Sequence, residues 1–364
     1  PEAIQSSGYV EYNNIDFVLN VGQGRSLSRN SVRVNGDIEI QSVSGTRVTT
    51  ENVFLDFRIG VHGCIDSCQV SFGNSGIKEN IANYARWCEM SAIGSIYEDD
   101  YLNASHQVEL RAPNEECSRV NSLGIASGSG QSAILITDGD FSIKPLCILN
   151  RMQGDPIPFE KSGEIRLTLN LARNIAALMG TDQALGSAYI LKNLHCSYTS
   201  VPTEGKWSDT QTMMRSVYNV KSTILSGSAN ISAQVPAVCD AVSCSFQLQT
   251  NENQLVKNTY SCETVQNIDR VAFLFNDATN QYVTYEINDQ NEMLHRYIDS
   301  FAGAGHQQMY LDTFRANAGF GIGLDFNGMI NLANQRFAVQ LDSSIAAPDT
   351  STNIFLYFHS MVQA

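Results

Sequence analysis

Period-two alternation of apolar residues recurs along this chain and constrains its fold more than any other feature. Val32, Val34, Ile38 and Ile40 fall on one face of an extended segment. The series Val53, Leu55, Phe57, Ile59 and Val61 has the same spacing, as do Ile165, Leu167 and Leu169, and later Phe337, Val339 and Leu341. Such spacing predicts strands with one face on a core. Ala133 to Ile136, Ala272 to Phe275 and Ile354 to Phe358 are short unbroken apolar runs, the pattern of strands covered on both sides. Clusters of Gly, Asn, Asp and Ser separate these segments at turn-like intervals.

Helical signals are few. One predicted helix covers Ile77 to Met90, with Ile77, Ile81, Tyr84 and Trp87 as an apolar stripe that packs the helix onto its own domain or, alternatively, lines a contact between neighbouring subunits. A second covers Leu171 to Met179, with Gly180 as its stop. The clearest runs from Gln290 to Phe301. Asp289 caps it, Glu292 completes a capping-box pattern, and Met293, Leu294, Tyr297, Ile298 and Phe301 share a face. A mainly β chain with short inserted helices fits paired β-sandwiches.

The 364 residues suffice for two domains of ordinary size. The polar stretch VPTEGKWSDTQT, Val201 to Thr212, reads as a linker between an N-terminal unit (1–200) and a C-terminal unit (213–364). Weak internal similarity supports duplication. CIDSCQVSF (Cys64 to Phe72) echoes CDAVSCSFQL (Cys239 to Leu248), and each half ends on a similar apolar strand, AYILKNLHCSY and NIFLYFHSM.

Composition narrows function. Charged residues are 16% of the chain, against ~25% in an average globular protein, so its polar surface rests on Ser, Thr, Asn and Gln. Surfaces of that kind pack against other proteins with little charge to desolvate. The net charge of -14 and the absence of a basic run argue against sequence-specific nucleic acid binding. The nine cysteines include no C-x-x-C pair and sit mostly in apolar runs, which reads as buried free thiols in a reducing compartment. No apolar run reaches the ~18–20 residues of a membrane-spanning helix, and PEAIQSSGY has no signal-peptide character. A first residue of Pro points to trimming, processing or an internal start.

The chemistry-bearing residues form no recognisable catalytic device. The six histidines (62, 106, 195, 295, 306 and 359) lack metal-ligand spacing, and His195 and Cys196, as strand neighbours, face opposite sides. The acidic clusters Glu98-Asp99-Asp100 and Asp138-Gly139-Asp140 read as solvated turns, with Asp138-Gly139 a hairpin between AILIT and FSIKPL. The glycine runs Gly128 to Ser132 and Gly319 to Gly323 lack a phosphate-loop ending, and no G-x-S-x-G elbow occurs. The sequons at Asn103 and Asn230 read as chance occurrences. No catalytic, cofactor-binding or metal residue is therefore expected.

Between Phe57 and Trp87 lies the segment IGVHGCIDSCQVSF followed by GIKENIANYARW. It resembles a pattern in double jelly-roll major capsid proteins of the virophage and polinton-like virus type, in the adenovirus–tectivirus lineage. The matching positions are His62, Asp66-Ser67, Gly76, Glu79-Asn80 and Tyr84-Ala85-Arg86. EMLHRYIDSF (Glu292 to Phe301) is similar to a helix that family inserts into its second jelly roll, and FGIGLDFNGMINLANQRFAVQLDSS resembles its closing strands. The resemblance implies two tandem eight-stranded jelly-roll β-sandwiches with short inserted helices. It implies a non-enzymatic protein whose homotrimers form pseudo-hexagonal capsomers. These would tile the icosahedral shell of a double-stranded DNA virus beside penton and minor capsid proteins, with or without an internal membrane. Such a protein is made in the host cytoplasm or a viral factory, is not secreted, and resides in the virion. The alternatives are a minor capsid, penton or spike-like virion protein or, from another class, a carbohydrate-binding or glycan-processing β-sandwich. The latter would show paired carboxylates and exposed aromatics, and the chain has only two Trp, Trp87 and Trp207.

Overall fold

A computed structural model of the chain describes residues 8–41, 53–95, 108–111, 139–151, 155–180, 187–203, 213–224, 229–234, 238–254, 256–263, 268–276, 281–301, 321–331, 336–343 and 351–363. Strands dominate, as the alternation predicts. In the second half eight strands follow in order: β13 (Met213–Ile224), β14 (Ala229–Gln234), β15 (Val238–Leu248), β16 (Ile268–Asn276), β17 (Gln281–Ile287), β18 (Gly321–Asn331), β19 (Arg336–Ser343) and β20 (Thr352–Gln363). They form two layers with spatial orders β13-β20-β15-β18 and β14-β19-β16-β17. Numbered first to eighth, the layers read 1-8-3-6 and 2-7-4-5, the connectivity of a jelly roll.

The first half repeats this plan. Its strands include β1 (Asn14–Leu19), β3 (Arg33–Gln41), β5 (Ile65–Phe72), β6 (Gly76–Ile81), β7 (Asp140–Ile143), β9 (Ile165–Leu171) and β11 (Ala188–Ser197). One layer is ordered β1-β9-β5-β6 and another β11-β3-β7. Tyr9 adds the missing first strand, because its N–H donates to Leu191 O (2.7 Å) and its carbonyl accepts from Leu191 N (2.9 Å). The orders are again 2-7-4-5 and 1-8-3-6. Short continuations β2 (Arg25–Leu27), β8 (Ile157–Pro158) and β12 (Ser200–Pro202) extend the second layer in the same order, and β4 (Val53–Leu55) pairs with β10 (Leu178–Gly180).

The duplication therefore holds, with one correction. The closing strands β11 and β20 are equivalent, as expected. The cysteine-bearing segments are not, because β5 is a fourth strand and β15 a third. Their likeness reflects similar burial, since Cys64, Cys68, Cys239 and Cys244 are all enclosed.

Cores form where the alternation puts apolar side chains inward. Ile15, Phe17 and Leu19 of β1 and Leu167 and Leu169 of β9 are buried in the first barrel. In the second, Phe337 lies against Phe358 (5.3 Å between centroids), Phe275 (5.3 Å) and Phe273 (6.0 Å). β15 and β20 are buried on both faces along nearly their whole length, because helices cover the face that the opposing sheet does not.

Those helices are α1 (Tyr84–Ser95) and α4 (Gln290–Ser300), each inserted between the fifth and sixth strands of its barrel. α4 is as the sequence predicts. Asp289 accepts hydrogen bonds from the N–H groups of Asn291 (2.8 Å) and Glu292 (3.1 Å), and Met293, Tyr297 and Phe301 are buried. The short helices are α2 (Phe159–Ser162) and α3 (Asn174–Ala177).

Three local expectations are corrected. Gly76 to Ile81 is a strand, not the start of a helix, so Ile77 is 63% exposed and lies off the stripe. The chain leaves β6 through Asn83, whose positive φ (52°) ends the extended segment before α1. The alternating run from Val53 breaks after Leu55, because Asp56 accepts from the N–H groups of Arg58 (2.8 Å) and Ile59 (3.3 Å). A 3-10 turn (Gly60–Cys64) follows. Gly60, at φ 54°, leaves no room for a side chain, since a Cβ there would meet Glu109 O at 2.1 Å. Leu171 to Met179 is likewise not one helix, because β9 runs to Leu171, α3 is a single turn and Leu178 begins β10. Ala133 to Ile136 and Asp138 lie outside the described residues, as do Glu98 to Asp100, Asn103, His106, Cys117, Trp207, His306 and the run Gly128 to Ser132.

These roles separate two substitutions. Asp289→Ala removes a helix cap and should cost about 1 kcal/mol of unfolding free energy. Phe337→Ala opens the aromatic core of the second barrel and should cost about 3–5 kcal/mol. Chemical denaturation of the two variants and the parent chain measures both differences.

Candidate functional site: the seam between the barrels

A cluster of buried polar side chains lies where the barrels meet. The fifth strand of the first barrel, β6, runs parallel to the first strand of the second, β13, with Asn80 opposite Tyr218. This contact joins the two half-sheets into one eight-stranded wall.

Alternation along β6 places Glu79 inward, where it is 2% exposed. One oxygen, Oε1, accepts from Val217 N of β13 (2.7 Å) and from Arg151 Nη1 (2.6 Å). Oε2 accepts from Ile148 N (2.6 Å). Arg151 in turn donates to Arg215 O (3.0 Å) and Leu146 O (2.9 Å). One carboxylate thus ties together a strand of each barrel and the turn at 147–151. Nearby, Asn83 Nδ2 donates to Asn219 Oδ1 (2.9 Å), and Tyr357 OH donates to Asn83 O (3.0 Å).

α1 completes the seam. Arg86 is 2% exposed and has no carboxylate among its hydrogen-bond partners in the described residues. It donates to Ser261 O (2.8 Å), Tyr260 O (3.3 Å), Thr259 O and Gln247 Oε1, all in the second barrel, and lies over the Phe355 ring at 4.1 Å. Its charge is held by oriented carbonyl dipoles and a ring face. Trp87 packs on Phe301 (5.8 Å), Tyr357 (5.3 Å) and His359 (5.4 Å). Tyr84 points back into the first barrel, where its hydroxyl accepts from Leu146 N (2.9 Å) and lies 2.9 Å from His62 Nδ1. The stripe that the sequence places on one barrel is shared between both.

Two further contacts cross the seam. Tyr260 OH donates to Gly63 O (2.8 Å), and Asn258 donates to Asp56. Beside Asp56 lies Glu89 of α1, fully buried, with Oε1 on Arg58 (2.7 Å) and Oε2 without a hydrogen-bond partner among the described residues. Burial and then the Asp56 charge push the Glu89 carboxyl up to about 8, with Arg58 opposing them.

The histidines divide by burial. Burial holds His62 below its ordinary range, against the pull of Glu109. Burial and the charges of Arg151 and Arg215 bring His359 down to about 3, and its Nε2 lies 2.9 Å from Ser243 Oγ. Both are neutral imidazoles locked into packing. His195 and His295 are exposed, and His195 and the buried Cys196 face opposite sides of β11. The eight described cysteines are buried thiols outside any disulfide, and for most of them burial raises the thiol. Among the described residues no group of three or more His, Cys, Asp or Glu side chains is placed to hold a metal ion. No helix among the described residues is long and apolar enough to cross a membrane. What this constellation does is mechanical: it fixes the position of one barrel against the other. Sequence reasoning did not reach Glu79 or Arg86 in this role. Their signal was a charge at an inward strand position and a charge beside Trp87 on a helix.

No family model and no curated protein matches the chain. Solved structures do. The chain is similar to PBCV-1 VP54, from a crystal structure fitted into a cryo-EM reconstruction of the virophage Sputnik, at 9% identity and a TM-score of 0.58, covering 100% of this chain and 93% of that one. It is similar to the Faustovirus major capsid protein at 9% identity and a TM-score of 0.54, covering 100% and 89%. A chain of the Sputnik virophage cryo-EM structure matches at 9% identity and a TM-score of 0.51, covering 99% and 87%. At these identities the likeness is one of fold, and it spans both barrels: the chain has the double jelly-roll fold of viral capsid proteins.

Two outcomes follow for the seam. Glu79→Ala strands two backbone N–H groups and the Arg151 guanidinium, and should cost about 3–5 kcal/mol. It should also split a single thermal transition into two as the barrels uncouple, which calorimetry resolves. Glu89 gives a pH signature. Its folded pKa is raised, so the folded chain binds the extra proton, and the stability it contributes is full below about pH 4.5 and lost as pH rises through about 8. Glu89→Gln should flatten the fall in stability expected of the parent chain between about pH 4.5 and about pH 8, read from urea titrations.

Proposed function

We propose that this chain is the major capsid protein of a double-stranded DNA virus, a non-enzymatic building block that acts by assembly. The observation that carries the reading is the pair of complete jelly-roll connectivities fused in one chain, matched over nearly its whole length by viral capsid proteins. In this reading the chain divides at 201–212 into its two barrels. Three copies bring six similar barrels around one axis and form a pseudo-hexagonal capsomer. Capsomers then tile an icosahedral shell in the virion, with penton and minor capsid proteins at the remaining positions and with or without an internal membrane. The chain is made in the host cytoplasm or a viral factory and is not secreted.

Physical properties agree. A surface poor in charge and rich in Ser, Asn and Gly loses little hydration free energy when buried between copies. A net charge of -14 suits a shell that leaves genome contact to other components. The neighbouring carboxylates Asp56 and Glu89 are enclosed in the seam and do not face a cleft, which counts against a glycan-processing enzyme. Two barrels in one chain count against a single-barrel penton protein.

The purified protein should sediment as a particle of about three times its 40.0 kDa chain mass and appear in negative stain as six-cornered rings. A stable monomer at micromolar concentration would overturn the reading.

A further inference from the structure

One end of the β13–β20 ladder carries a polar cluster that the seam does not use. These are the first and last strands of the second barrel, and they lie antiparallel with Lys221 opposite Phe355 and Thr223 opposite Asn353. Residues two apart on a strand share a face, so Lys221, Thr223, Asn353 and Phe355 stand together. Lys221 and Asn353 are diagonal neighbours, within reach of a long side chain. Asn353 is 1% exposed. One carboxylate, Glu252, touches both: Oε1 accepts from Lys221 Nζ (2.8 Å) and Oε2 from Asn353 Nδ2 (2.7 Å). The other end of the Asn353 amide is held as well. Its Oδ1 accepts from the Thr223 hydroxyl (2.9 Å) and from Gln249 Nε2 (3.1 Å). Lys221 Nζ also lies over the Phe355 ring, 5.2 Å from its centroid.

An amine, a carboxamide and a carboxylate in contact with both are the parts needed to exchange one amide for another. We propose that Lys221 and Asn353 join in an intramolecular isopeptide bond, with Glu252 as the proton carrier. Glu252 takes a proton from the Lys221 ammonium, and the neutral amine attacks Cγ of Asn353. The carbonyl electron pair moves onto Oδ1, where the Thr223 hydroxyl and the Gln249 amide already donate and stabilise the developing negative charge. Glu252 returns its proton to Nδ2, with which it is already in contact, and accepts a second proton from the attacking nitrogen. The carbonyl re-forms, the Cγ–Nδ2 bond breaks, and ammonia leaves with the proton that Glu252 then releases. An ammonium and a primary amide go in; a secondary amide and an ammonium ion come out. No oxidant or cofactor is needed, and the event happens once per chain, without turnover. The bond closes a loop that holds nearly all of the second barrel, so it removes entropy from the unfolded ensemble and prevents the first and last strands from parting.

Mass spectrometry of the purified full chain tests the proposal. After incubation in mildly alkaline buffer, which favours the neutral amine, the parent chain should be lighter than its sequence mass by one ammonia. A protease digest should give one branched peptide that joins the segments around Lys221 and Asn353. Lys221→Arg and Glu252→Gln should each keep the full sequence mass and unfold at a lower temperature than the linked parent. The digest of the parent decides without either variant. A parent chain that keeps its full mass and yields only separate linear peptides overturns the bond. A branch from Lys221 to any other residue overturns the assignment to Asn353. A Lys221–Asn353 branch that persists in Glu252→Gln overturns the proton-carrying role.

Discussion

The Glu79 carboxylate is the constraint on which the arrangement of the two barrels depends. It is fully enclosed, and an enclosed carboxylate persists only when its oxygens are matched by donors. Here the donors come from three places: Val217 of the second barrel, Ile148 of the turn and the Arg151 guanidinium. None can move away without stranding a charge. The apolar contacts of Trp87 add burial, but burial alone tolerates sliding. The carboxylate sets the register, and Arg86, fixed by four acceptors of the second barrel, sets the rotation.

Under the proposed capsid function a rigid seam matters. If the angle between barrels varied, small errors would accumulate around a ring of six and the ring would fail to close. Two jelly rolls on a flexible linker would have the same strands and the same surface, and would lack that fixed step. The buried polar network is therefore best understood as a device for geometry. It adds little to net stability compared with an apolar seam of equal volume.

Much of this was legible in the sequence. The alternation in β3, β9 and β19 and the capped, amphipathic α4 were readable because local pattern and tertiary demand coincide there. Duplication was readable from the closing strands β11 and β20. What failed did so for physical reasons. Ile77 to Met90 carries a helical stripe, yet hairpin pairing with β5 holds Gly76 to Ile81 extended. The alternating Val53 to Val61 run is interrupted by one Asp side chain that captures two backbone N–H groups. The cysteine echo matched strands of similar burial at different places in the fold. Glu79 and Arg86 were invisible as seam residues because their partners lie 138 and up to 175 positions away in sequence.

Native-state hydrogen exchange at two backbone amides, Val217 and Ile148, tests the central claim most directly. Both donate to Glu79, Val217 from β13, which meets β6 at the single register pair Asn80–Tyr218, and Ile148 from the turn. If the carboxylate holds the barrels in one unit, both amides exchange only with global unfolding, at the rate of the slowest amides of β15 and β20. Exchange of either amide on the timescale of exposed loops, in otherwise folded protein, would show that the barrels part freely and would contradict the account.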